Sequence, residues 1–249
     1  MNKTVLITGS SKRIGAAIAE KFALSSWNVI IHYNKSKRDA SNLIKELKKS
    51  HSRIEVLQAD LFDSKQRKNL LKEAFTLFNH IDLLINNASY FKYDDALDIN
   101  NKIWDRAIET NLKAPIDLST YYYKSIKKKG CIINIIDNKI LNPNPDFFSY
   151  TVSKFGLEGA TKLLAMRFAP KIRVFGIAPG ITLQSGDQTI QNFKKVHNNN
   201  PLNSGATPEE IADTCVFLEK IQSMTGFTIP IDGGHSMYNY GKDIQYTKL

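Results

Sequence analysis

The chain has little of what metal, disulfide or membrane chemistry needs. Its 249 residues include two cysteines, Cys131 and Cys215, with no CxxC spacing and no histidine cluster around either, so neither a zinc site nor a disulfide framework is expected. The apolar runs are short and broken by charge, which excludes a helical bilayer span as a reading. Met1-Asn2-Lys3-Thr4 leads directly into a strand-like run instead of a signal sequence, and a cytoplasmic protein with no membrane partner is the expectation. No proline-rich or serine-rich linker, repeat or low-complexity block divides the sequence. One domain over 1–249 is therefore expected, with 182–206 as a weakly periodic cover rich in turn formers and 235–249 as a C-terminal tail. That cover reads equally well as a mobile lid or as an exposed connection.

What is present begins with charge. Thirty-four lysines and arginines against 24 acids give a net charge of +10, which favours anionic partners. Lys45, Lys48, Lys49, Lys65, Lys68 and Lys72 are nonetheless dispersed along helical patterns, as on a solvated face. No basic segment is interleaved with stacking aromatics, so no nucleic-acid partner is expected. An anionic cofactor and substrate suffice to use the charge.

Apolar strand patterns recur at Lys3–Thr8, Val29–His32, Ile54–Gln58, Leu83–Asn86, Cys131–Ile136, Arg173–Ile177 and Phe227–Ile231, with helical patterns between them. Phe62–Asn79 carries Leu70, Leu71, Ala74, Phe75 and Phe78 on one stripe. Such alternation predicts an α/β fold: a Rossmann-type, doubly wound parallel sheet with helices on both faces and ligands at the carboxyl ends of its strands.

Three separated segments ask for the same ligand: Thr8-Gly9-Ser10-Ser11-Lys12-Arg13-Ile14-Gly15, Asn86-Asn87-Ala88-Ser89, and Tyr150-Thr151-Val152-Ser153-Lys154. The first follows a strand and opens a helix with Ile14, Ala17, Ile18 and Phe22 as its predicted inner face. In that order free N–H groups and the helix dipole meet a pyrophosphate. After the second strand, His32, Tyr33, Asn34, Lys35 and Ser36 precede any acid, the first being Asp39. An NAD site would present a carboxylate here; this segment attracts a 2′-phosphate, so the expected cofactor is NADPH. Tyr150 and Lys154 are four apart on one helical face, where an ammonium stabilises a phenolate.

The YxxxK spacing alone decides nothing, because Tyr33/Lys37, Tyr123/Lys127 and Tyr238/Lys242 share it. Only Tyr150 follows a strand and its loop and also opens a helix, whose pattern runs over Phe155–Phe168. With Asp60-Leu61, Asn87-Ala88, Asn111, Pro179-Gly180 and Asp232-Gly233-Gly234 in order along the chain, the sequence resembles the short-chain dehydrogenases and reductases over nearly its whole length. Most members place glycine at Arg13, glycine at Ser89 and serine at Asp137. All three departures resemble the branch of pteridine and dihydromonapterin reductases, and His32 to Ser36 resembles the segment with which that branch grips the adenosine phosphate. The resemblance implies cofactor contacts from Gly9, Lys12, Arg13, Ile14, His32 to Ser36, Asp60, Leu61, Asn87, Ala88, Ser89, Tyr150, Lys154, Pro179 and Gly180. It further implies Asp137, Tyr150, Lys154 and Asn111 as the catalytic set, with Lys154 on the nicotinamide ribose, Asn111 holding a relay water, and a homotetrameric assembly.

The residue types carry a chemistry of their own. A guanidinium at Arg13 can bridge diphosphate and an electron-rich substrate. Its alternative, a salt bridge at a helix start, runs against the helix dipole. A carboxyl at Asp137 suits proton delivery to a ring nitrogen; the sequence leaves its protonation open, and Asp137-Asn138 also reads as a simple turn. Phe91 offers a stacking wall for a flat heterocycle and reads equally as core. Ser89 has either the substrate or the cofactor as its partner. The expected substrate-binding set is Arg13, Ser89, Phe91, Asp137 and Tyr150, and the expected reaction is NADPH-dependent reduction of a dihydropterin or folate small molecule. A carbonyl or 3-oxoacyl-thioester reductase and a non-catalytic NADPH-binding protein stand as alternatives.

Overall fold

The computed structural model describes residues 2–48, 50, 52–185 and 188–238. Lys49 and the tail from 239 onward, with Tyr240, Lys242 and Tyr246, lie outside them. The chain runs β1 (Thr4–Ile7), α1 (Arg13–Leu24), β2 (Asn28–Tyr33), α2 (Lys37–Leu47), β3 (Ile54–Gln58), α3 (Ser64–Phe78) and β4 (Leu83–Asn86). Next come α4 (Asn101–Ala107), a π-helical turn (Ile108–Lys113), α5 (Ala114–Ser125), β5 (Gly130–Ile135), a 3₁₀ turn (Asn138–Ile140), α6 (Phe148–Phe168) and β6 (Ile172–Pro179). It closes with α7 (Ile190–His197), α8 (Pro208–Lys220), β7 (Thr228–Ile231) and a 3₁₀ turn (His235–Met237).

Seven strands form one sheet in the order β3-β2-β1-β4-β5-β6-β7, and every pairing is parallel. Parallel strands covered on both faces need apolar residues at successive positions. The strands show this directly. Val5 and Ile7 join one core layer with Ile18, Phe22, Val29, Ile31, Phe175 and Leu218, whereas Leu6 joins the other with Ile30, Leu71, Leu84, Leu118 and Val174. The predicted sheet and all seven strands are therefore present.

Some boundaries differ from expectation. On α1 the buried positions are Gly15, Ile18, Ala19, Phe22 and Ala23, while Ala17 is only partly covered. Helix α6 begins at Phe148, seven residues ahead of the pattern read from the sequence, and Tyr150 opens it from within the first turn as expected. Within 182–206, where periodicity predicted no regular element, α7 forms for two turns. The Thr189 side chain accepts from Asn192 N at its start, and Val196 is its one buried residue. A single apolar anchor leaves no periodic trace.

Two polar devices fix elements that the site uses. Asn86 donates to Asn134 Oδ1 at 2.8 Å and Asn134 donates to Thr161 Oγ1 at 2.9 Å, joining β4, β5 and α6 inside the core. Arg67 of α3 is fully buried. It donates to the Leu61 carbonyl at 2.8 Å and lies 2.9 Å from Glu109 and 3.0 Å from Asp117, so it binds α3 to the π-helical turn and α5. Removing one member of such a pair strands the other charges and opens a cavity. Arg67→Ala is expected to lower the unfolding free energy by about 3 kcal/mol, measured as a reduced urea midpoint at unchanged slope; an unchanged midpoint would show the triad to be idle.

Candidate active site

The carboxyl ends of the strands open onto a cleft of about 820 Å³. Its floor is set where β1 lies between β2 and β4. Thr8 Oγ1 accepts from Asn87 N at 2.9 Å and Ala88 N at 3.0 Å, while Asn87 Nδ2 donates to the carbonyls of Thr8 and Gly9, both at 2.9 Å. This brings Gly9, at φ +62°, so near that a Cβ there would meet Ala88 Cα at 2.8 Å. At Gly15 a Cβ would meet Gly9 O at 2.5 Å and Asn87 Nδ2 at 2.6 Å. Only hydrogens fit.

His32 holds the same turn from β2. Its Nδ1 accepts from Gly9 N at 2.9 Å, its Nε2 faces Ala59 O at 3.1 Å, and its backbone exchanges bonds with Ser10. An imidazole that accepts at Nδ1 carries its hydrogen on Nε2. Burial lowers the His32 pKa to about 4, against the smaller raising effects of the Ala59 carbonyl and Asp60. This corrects one expectation: His32 is a neutral strut with both nitrogens in use, and it offers no charge to a phosphate. Lys35 stands exposed on the cleft, and Ser36 precedes α2 without capping it through its side chain.

The first turn of α1 likewise has no side-chain cap; Lys12 is extended there, and Arg13 takes φ +57°. Such a left-handed conformation costs a non-glycine residue roughly 1–2 kcal/mol. Among the described residues Arg13 forms no salt bridge; its Nη1 donates across the cleft to the Gln184 carbonyl at 2.9 Å. Uncapped N–H groups, hydrogen-only glycines and an elongated cleft together fit a dinucleotide diphosphate. Gly9, Lys12, Arg13, Ile14, His32, Tyr33, Asn34, Lys35, Ser36, Asp60, Leu61, Asn87, Ala88, Ser89, Pro179 and Gly180 all line it. At Asp60, burial pushes the pKa up, but the Phe62 N–H, Arg106 and Asn34 outweigh it and hold the carboxyl below its ordinary value.

At the other end Tyr150 Oη donates to Asp137 Oδ2 at 2.6 Å, a charge-assisted length. Asp137 Oδ1 accepts from Lys139 N at 2.9 Å, opening the 3₁₀ turn. One oxygen of Asp137 thus closes the turn and the other meets the phenol. Lys154 is buried and donates to the Ile135 carbonyl at 2.9 Å, with its ammonium 5.5 Å from the Tyr150 ring centre. Desolvation lowers its pKa to about 8 against the raising field of Asp137. Phe91 is 42 % exposed, stacks on Phe147 at 4.2 Å and meets Tyr150 edge-on at 4.7 Å. It is therefore both packed and presented to the cleft.

Asn111 stands in the π-helical turn. It is fully buried and does not line the cleft. Its amide accepts from Tyr90 N at 2.7 Å and donates to Tyr90 O at 2.8 Å and Ser153 Oγ at 3.1 Å, while Ser89 Oγ lies 3.4 Å from its Oδ1. The side chain clamps the Ser89–Tyr90 backbone to α6.

A family model described as enoyl-(acyl carrier protein) reductase matches residues 9–236. A 3-oxoacyl-[acyl-carrier-protein] reductase FabG of Staphylococcus epidermidis is 31% identical, over 95% of this chain and 100% of that protein. Glucose 1-dehydrogenase 2 of Bacillus subtilis is also 31% identical, over 95% of each. The chain belongs to the short-chain dehydrogenases and reductases. Its expected class, a nicotinamide-dependent short-chain oxidoreductase, holds with that membership. Among solved structures of this family, FolM alternative dihydrofolate reductase 1 from Brucella canis, complexed with NADP, superposes with a TM-score of 0.90 at 35% identity, covering 96% of each chain. The Brucella suis protein, also in complex with NADP, gives 0.91 at 36% identity, over 95% of this chain and 96% of that one.

Sequence reading missed Arg106, which lines the cleft and donates to Asp60 at 2.8 Å. It also missed Phe147, which backs Phe91, and the Asn138–His235 contact of 2.8 Å on the cleft wall. Lone residues joined across 46 or 97 positions leave no spacing to read.

Two measurements test this site. Gly15→Ala is expected to abolish NADPH binding, followed by quenching of protein fluorescence; retained affinity would refute the close approach. His32 has a folded pKa below its unfolded value, so its neutral form stabilises the protein at pH 7 and that contribution falls as pH drops from about 6.5 to about 4. It is worth about 3 kcal/mol. The urea stability of wild type is expected to fall more steeply across this window than that of His32→Gln, and parallel curves would contradict it.

Proposed function

We propose that this chain is an NADPH-dependent reductase of dihydropterins, converting dihydrobiopterin-like or dihydromonapterin-like substrates, and dihydrofolate, to their tetrahydro forms. The observation that carries the reading is the 2.6 Å bond between Asp137 and Tyr150 on the cleft wall. A ketone reductase of this family uses a serine at that position, whereas a carboxyl paired with a phenol holds a proton for a ring nitrogen. NADPH, when bound, supplies the hydride for the adjacent ring carbon. Lys35, Ser36 and the start of α2 would receive its 2′-phosphate, no acid standing between His32 and Asp39 in the sequence. Lys154 fixes the nicotinamide ribose and, as an ammonium, stabilises charge on Tyr150. Phe91 and Arg13 hold the heterocycle between wall and diphosphate. Two similar structures carrying the name alternative dihydrofolate reductase support the same reading.

The 182–206 segment closes over the substrate, with Arg13 and Gln184 as its present contact. The protein works in the cytoplasm as a homotetramer. In support, no helix among the described residues is long and apolar enough to cross a membrane. Helix α6 also leaves Phe155, Leu163 and Met166 exposed around Gly159, where a Cβ would meet open space. Such a face invites a partner helix; light scattering at a monomer mass would refute it.

A second reading, carbonyl or 3-oxoacyl-thioester reduction, draws on the names of the similar FabG proteins. Asp137→Ser separates the two. The pterin reading predicts turnover with dihydrobiopterin or dihydromonapterin reduced by about 10²–10⁴-fold; the ketone reading predicts little loss, or gain, with acetoacetyl thioesters. Lys154 is charged below about pH 8 and neutral above it. kcat/KM for NADPH is therefore expected to fall as pH rises through about 8, and the residual activity of Lys154→Met is expected to lack that limb. A flat wild-type profile from pH 7 to 9 would remove the ammonium from the mechanism.

A further inference from the structure

The helix that carries Tyr150 and Lys154 starts without a cap of its own. At 21 residues α6 is the longest in the chain, yet Phe147 precedes it at φ +57°, ψ +53°, with no side-chain bond to the first turn and no acid within that turn. A buried helix start in this condition has orphan N–H groups that must find partners elsewhere.

They find Asp94, 55 positions away. Asp94 is 5 % exposed, and its Oδ1 accepts from Ser149 N at 3.0 Å. Its Oδ2 accepts from Ser149 Oγ, and its carbonyl accepts from Phe148 N at 3.2 Å. Ser149 is itself fully buried and immediately precedes Tyr150. The same short segment grips Phe147 from two sides, with Phe91 stacked on it at 4.2 Å and Tyr93 edge-on at 5.3 Å. An anion at the positive end of a helix is favourable, and a remote one serves as well as a local one if it is held in place.

We infer that Asp94 is a positioning residue for the reaction: as a cap supplied from another segment, it fixes the first turn of α6 and so the bearing of Tyr150 on Asp137. It touches neither cofactor nor substrate. Its effect passes through Ser149 to the phenol, and through Phe91 to the aromatic wall that faces the same phenol at 4.7 Å. A displacement near 1 Å at a reacting group can cost about 10²-fold in rate, so loss of this cap is expected in kcat before it is seen in cofactor affinity.

The test compares Asp94→Ala with Asp94→Asn, which keeps an acceptor for Ser149 N. For Ala the expectation is kcat down by about 10- to 100-fold with the NADPH dissociation constant, from fluorescence quenching, within about threefold of wild type. Asn is expected to restore most of kcat. Hydrogen exchange at the Ser149 and Tyr150 amides, which needs no substrate, is expected to quicken by tenfold or more in Ala and to stay near wild type in Asn. Unchanged exchange in Ala, unchanged kcat, or kcat and cofactor affinity falling together would overturn the inference. The kinetic arm rests on the pterin reading only for its choice of substrate. If wild type reduces acetoacetyl thioesters and no pterin, that reading fails and the same comparison is made with the thioester; if wild type turns over neither, the exchange arm decides alone.

Discussion

The site depends on how closely two backbones meet at the end of β1. Thr8 and Asn87 bind the carboxyl ends of β1 and β4 through four hydrogen bonds, and His32 ties the same turn to β2. Those strands are the ones between which the chain changes direction across the sheet, and open α/β sheets part there to admit a ligand. The clamp keeps that parting narrow and of fixed shape. Glycine at positions 9 and 15 is its consequence and not a separate device.

The catalytic end is built by a different logic. There the groups are placed by buried polar contacts from distant segments: Asn111 clamping Ser89–Tyr90, Asn134 meeting Thr161, Lys154 donating to the Ile135 carbonyl. Each contact satisfies a buried polar group that would otherwise destabilise the core. Together they leave little freedom to the phenol, the carboxyl and the ammonium.

Much of this was legible in the residues. The seven apolar runs marked the strands because a parallel sheet covered on both faces needs unbroken apolar runs, and the stripe of α3 was visible because fifteen residues repeat its period four times. The pairing of Tyr150 with Lys154 followed from helix spacing, whereas Asp137 joined them only through the family resemblance, its bond to Tyr150 belonging to the fold. What stayed hidden was whatever depends on a partner far along the chain. His32 read as part of a phosphate-attracting segment because its burial and its bonds to Gly9 and Ala59 belong to the fold. The bonds of Asn111 to Tyr90 and Ser153 stayed hidden for the same reason. Helix α7 escaped notice because one buried valine makes no pattern, and Arg106 because its bond to Asp60 spans 46 positions.

Arg13 sits in the left-handed region, in a backbone shape that a hydrogen in place of its side chain would adopt without penalty. Exchange to glycine would relax that backbone and at the same stroke remove the guanidinium that reaches the Gln184 carbonyl across the opening, so the ease of the turn and the reach of the side chain cannot be improved together at this one position.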